Sequence, residues 1–95
     1  MQQFFVLMLD YGRDGREAIC DPEETRSGIV AEVRDVLAKN RCSIAFIWNV
    51  REGEVPEDIT DEIVAEALGL IGDDAAEYDH QAARFDHARK LRAEA

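Results

Sequence analysis

Two short runs constrain the fold most: FFVLML at residues 4–9 and IAFIW at residues 44–48 are apolar at every position. Both are short for a helix and rich in aromatic or branched residues, which is the pattern of strands buried on both faces. Each therefore belongs inside a sheet. After the first run, DYGRDG carries two glycines and leads into REAIC, so a turn and a second, more polar strand at the sheet edge are expected.

Between the two runs lies DPEETRSGIVAEVRDVLAKN. Asp21 suits an N-cap, Pro22 the first helical position and Glu24 a capping-box partner. Ile29, Val30, Val33, Val36 and Leu37 share one face of that helix, and Lys39 with Asn40 suits its end. Gly28 weakens its first turns. The second strand run extends over Cys42 to Val50, with Trp48 expected in the core.

A turn with Gly53 and Pro56 follows, and Thr60 can cap a helix whose Val64 meets Ile59 as a hydrophobic staple. Ile63, Val64, Ala67, Leu68 and Ile71 form its buried side, with Gly69 inside it and Gly72 ending it. Asp74 and Glu77 then suit the start of a last helix reaching to about Leu91, with Tyr78, Ala82, Phe85, Ala88 and Leu91 as its apolar stripe. Together these elements predict a single α+β domain over residues 1–95. Its order is β-β-α-β-α-α, a three-stranded sheet in the order 2-1-3 covered by helices.

Hydrophobic residues make up 46% of the chain and charged residues 34%, which is the composition of a folding chain. The N-terminal apolar run lacks a basic flank and a cleavage site, so neither a signal peptide nor a membrane span is expected there, and the expected location is cytoplasmic. Cys20 and Cys42, without a C-x-x-C motif, are expected as reduced thiols.

The net charge of −10 is unevenly distributed. Residues 1–51 hold eight acids and seven bases, residues 52–79 hold eleven acids and no lysine or arginine, and residues 80–95 hold two acids and four bases. The middle segment thus carries the whole excess. Helix starts attract acids, and two helices begin here. The concentration also suits an acidic face that binds a basic macromolecular partner, such as a nucleic-acid-binding protein that it regulates or inhibits. The candidate partner-binding residues are Glu52, Glu54, Glu57, Asp58, Asp61, Glu62, Glu66, Asp73 and Asp74. Asp58, Glu62 and Glu66 would form a row on a helix that started early enough, and the turn acids Glu52, Glu54 and Glu57 with Asp73, Asp74, Glu77 and Asp79 could supply a second one. Such a row is sparser than the phosphates of a DNA strand, so a duplex mimic would need more. Direct nucleic-acid binding is not expected at a pI near 4.5.

A second reading makes the chain a homodimeric assembly module with Tyr78 and Phe85 on the interface helix. A third uses YDHQAARFDH, where His80 and His87 would lie exposed on one helix face, as a metal or catalytic site; Glu77 and His80 match the E-x-x-H half-site of di-metal bundles. No second half-site exists, and neither cysteine nor any hydroxyl residue stands in a nucleophile motif. DYGRDG lacks the helix and Lys-Ser/Thr of a phosphate loop. The chain is accordingly read as non-enzymatic, with no catalytic residue, metal or cofactor assigned.

Overall fold

A computed structural model describes residues 3–84 as an open four-stranded antiparallel sheet with helices, an α+β fold. In chain order the elements are β1 (Gln3–Asp10), β2 (Arg16–Asp21), α1 (Arg26–Lys39), β3 (Ser43–Arg51), β4 (Glu57–Asp58), α2 (Thr60–Ala67) and α3 (Gly72–Glu77). A fourth helix, α4, begins at residue 80 and is described to residue 84. Among the described residues no helix is long and apolar enough to cross a membrane.

The strand order is β2-β1-β3-β4. The two apolar runs are therefore central neighbours, as expected, and β2 lies at an edge. The short β4 is the addition: two residues of the acidic turn pair with Trp48 and Asn49. Between Met8 and Leu9 the β1–β3 register shifts, so that Leu9 faces Ile44 while Met8 faces Phe46. Ala45 is the extra residue of this bulge, and it lets Ile44 and Ile47 both point into the core.

That core lies on one face of the sheet. Phe5, Leu7 and Leu9 of β1 and Ile44 and Ile47 of β3 pack with Ile29, Val30 and Val33 of α1 and Ile63, Val64 and Ala67 of α2. Burying a side chain of this kind contributes about 1.5–3 kcal/mol, which makes this face the main source of stability. Among the described residues nothing covers the opposite face. Phe4, Val6, Met8, Phe46 and Val50 remain half-buried there, and Trp48 is 36% exposed rather than part of the core. Among the described residues the doubly apolar strands have one layer of helices.

Several helix ends differ from expectation. Asp21 closes β2, and its carboxylate accepts the Glu23 N–H in a turn; the cap of α1 is Thr25, whose hydroxyl accepts the Gly28 N–H. Asn40 ends α1 in the left-handed conformation. The second helix is shorter than its apolar pattern: Gly69, at φ +79°, ends it, with Gly69 N–H donating to Glu66 O and Leu70 N–H to Ala65 O. This pair of bonds is a Schellman motif, which needs a residue that tolerates positive φ. Leu68 and Ile71 consequently fall outside the helix and are exposed.

The single last helix is also absent. α3 begins at Gly72, so Asp74 lies in its first turn instead of capping it, and extended backbone at Tyr78 separates it from α4. Asp79 starts α4, its carboxylate accepting the Ala82 N–H. Phe85, His87, Ala88 and Leu91 of the expected stripe and histidine pair lie outside the described residues.

Candidate functional site

Beyond the two residues of β4, the outer edge of β3 is closed by side chains. Ile47 N–H donates to Thr60 Oγ1 at 2.8 Å, and Ile47 O accepts the Ile59 N–H at 2.9 Å. Farther along, His80 Nε2 lies 2.8 Å from Ile44 O. A carbonyl can only accept, so Nε2 carries the proton and Nδ1 accepts from the Tyr78 hydroxyl, 3.0 Å away. Thr60 and His80 are both buried. They satisfy backbone groups that a longer β4 would have paired, and an unpaired buried group of this kind costs about 1–3 kcal/mol.

This edge positions a cleft of about 660 Å³. It lies between Ala45 of the bulge, residues 58–62 at the start of α2, and residues 79–81 with Arg84 of α4. Four carboxylates line it: Asp58, Asp61, Glu62 and Asp79. Three of them are held by local hydrogen bonds. Asp58 Oδ1 accepts the N–H and the hydroxyl of Thr60, Asp61 Oδ1 accepts the His80 N–H at 2.9 Å, and Asp79 Oδ1 accepts the Ala82 N–H at 3.1 Å. In each case the bonds use Oδ1, and among the described residues Oδ2 has no hydrogen-bond donor.

Two helix N-termini and one arginine reduce the field of these acids. Each terminus contributes roughly half a positive charge. Arg84 is itself paired, 3.3 Å from Asp10 Oδ2 and 3.1 Å from Ser43 Oγ, at the end of the sheet. With Glu62 also bridged by Arg26, the cleft keeps a net charge of roughly −2 when the helix termini are counted. Burial raises the Tyr78 hydroxyl above its ordinary pKa, and the carboxylates of Asp61 and Asp79 push it further, so it stays protonated and available to His80.

The other candidate acids are dispersed. Asp58 belongs to β4 and not to α2, so the expected row reduces to Glu62 and Glu66, and Arg26 bridges both at 3.1 and 2.9 Å. Glu54 and Glu57 flank Arg51 at 3.7 and 4.0 Å. Glu52 is exposed in the β3–β4 turn, and Asp73 and Asp74 are exposed on α3. The acidic segment thus supplies one convergent group of four and several separate charges. Asp79 and His80 are the members of the cleft that the sequence understated. An aspartate immediately before HQAARF, an N-cap position, was the signal available.

The alternative readings also change. Tyr78 is half-buried against the core instead of lying on a continuous interface helix, and Phe85 is outside the described residues. His80 is 6% exposed, with both ring nitrogens engaged, and Glu77 stands in a different helix, so the two do not form an i, i+3 half-site. Cys20 and Cys42 are free.

No protein-family model, curated protein or solved structure matches the chain. The chemistry of the cleft is therefore the basis on which a function is read.

Proposed function

We propose that this chain is a non-enzymatic binding protein that takes lysine or arginine side chains of a basic macromolecular partner into the cleft at the start of α2 and α4. The observation carrying the reading is the convergence of Asp58, Asp61, Glu62 and Asp79 on one open cleft. Three of these carboxylates are pre-oriented by bonds to Oδ1, which leaves Oδ2 to accept from an incoming ammonium or guanidinium group. Holding the acceptors in place before binding reduces the ordering cost of the complex. Proteins that bind nucleic acid present many such cations, so a regulator or inhibitor of one fits the same chemistry.

The test must remove charge without removing a cap. Asparagine retains a side-chain oxygen for the backbone N–H, so Asp61→Asn and Asp79→Asn keep the local fold while neutralising two cleft carboxylates. An oligo-arginine peptide titrated into the full chain should shift the amide resonances of residues 58–62 and 79–81, with affinity falling as salt is added. The double variant should bind about tenfold or more weakly, the equivalent of 1.4 kcal/mol. Equal binding by the variant, or shifts centred on α3 and the β3–β4 turn, would sink the proposal.

A further inference from the structure

The uncovered face of the sheet is a continuous apolar surface, and it lies on the opposite side from the core. Phe4, Val6 and Met8 of β1 stand beside Val50, Trp48 and Phe46 of β3, with Cys20 and Ala18 of β2 flanking Val6 and Met8. Phe46 and Trp48 stack with ring centroids 4.2 Å apart. Among the described residues no charge stands on β1, β2 or β3 within this patch; Asp58 of β4, paired with Trp48, borders it laterally, and the other charges lie at the two ends.

We propose that a second copy of this chain covers this face, sheet against sheet, with its strands running in the reversed direction. The area suits such an occupant. Trp48, 36% exposed, with the half-buried Phe4, Val6, Met8, Phe46 and Val50 around it, gives an apolar patch on the order of 400 Å². At the roughly 60% apolar share of a protein interface, that patch corresponds to about 700 Å² per partner, close to the standard 800 Å².

Charge selects the orientation. At one end of the sheet Arg16 and Arg84 share the single carboxylate of Asp10, at 3.9 and 3.3 Å, leaving an excess positive charge. At the other end, where Gln3 pairs with Arg51, the turn carries Glu52 and Glu54 against that one arginine, leaving an excess negative charge. A two-fold axis that reverses the strands sets the basic end of each copy against the acidic end of the other, and the interface is closed and self-complementary. It also places Glu62 and Glu66 of α2 on the far side of each sheet, away from the interface. Packed sheets of this kind lie about 10 Å apart with strand directions within about 30°.

Sedimentation of the full chain over a concentration series, read together with Trp48 fluorescence, tests the proposal. The expected result is a reversible species of twice the monomer mass, with emission that shifts to the red as dilution exposes Trp48. Trp48→Glu should raise the dissociation constant at least about 100-fold, as loss of a central aromatic anchor does. Met8→Lys gives the same readout if that variant fails to fold, circular dichroism being the check. Arg16→Glu should weaken the dimer, and adding Glu52→Arg to the same chain should restore it, whereas Phe85→Asp should leave the mass unchanged. A wild type that stays monomeric at every concentration overturns the proposal. So does a dimer that Phe85→Asp dissolves and Trp48→Glu does not. A monomer with blue Trp48 emission that reddens on Leu91→Asp overturns it too, and would assign the face to the chain's own C-terminal residues.

Discussion

Replacing Thr60 by valine tests how the edge of β3, and with it the cleft, is held together. Valine keeps the shape of the side chain, so no cavity opens. It removes the oxygen that accepts the Ile47 N–H at 2.8 Å in a buried position and the hydroxyl that donates to Asp58. A buried N–H left without a partner costs about 1–3 kcal/mol. Asp58 is exposed and can turn to water, so its loss adds little, while the buried methyl that replaces the hydroxyl returns up to about 0.8 kcal/mol. The expected net destabilisation is about 1.5 kcal/mol. For a domain of this size that lowers Tm by about 6–12 °C. Urea unfolding of Thr60→Val, beside Thr60→Ser as a control, provides the measurement. Serine keeps the hydroxyl and loses only a methyl group, so it should cost about 1 kcal/mol. Hydrogen exchange should show the Ile47 amide losing protection in the valine variant alone. A cost below about 0.5 kcal/mol with Ile47 still protected would refute the view that Thr60 substitutes for a longer β4.

Three further outcomes are expected. Gly69→Ala, at φ +79°, should destabilise the chain by about 1–2 kcal/mol, read from the urea midpoint, because the Schellman turn forces alanine into a left-handed conformation. The Asp10 carboxyl is held below its ordinary value of 3.8, first by the Gly12 N–H and then by Arg16 and Arg84, against an opposing contribution from burial. Its folded state thus binds a proton less readily than its unfolded state, so its stabilisation is present above about pH 4 and is lost as pH falls below the lowered value. The gap in urea midpoint between wild type and Asp10→Asn should close over that acid range. Glu32 shows the opposite sign: burial, then Glu24, Asp21 and Asp35, raise its carboxyl. Its ionised form therefore costs stability at neutral pH, and Glu32→Gln should raise the unfolding free energy there by a few tenths of a kcal/mol, a gain that fades in acid.

The central strands, the edge position of β2, the buried stripe of α1 and the start of α2 near Thr60 were all legible in the chain. Each rests on local pattern: two doubly apolar runs, a turn with glycines, and apolar residues at helical spacing. The errors cluster where one pattern admits two structures. Tyr78, Ala82 and Phe85 keep helical spacing across the break at residues 78 and 79, so periodicity alone joins α3 to α4. Gly69 reads equally as a weak helix interior or a helix end, and the hydrogen bonds of Leu70 and Gly69 decide which.

What the sequence determined by itself is the three long strands, α1 and the start of α2, the pairing of its two apolar runs and the acid excess of residues 52–79, because these follow from nearest-neighbour chemistry and from simple counting. Tertiary structure decided which acids meet. Asp58, Asp61, Glu62 and Asp79 converge because the Ala45 bulge, the short β4 and the His80–Ile44 bond bring two helix starts to one sheet edge. It also decided that Trp48 stays exposed: alternation along a strand tells which residues share a face, while only the placing of the helices tells which face they cover.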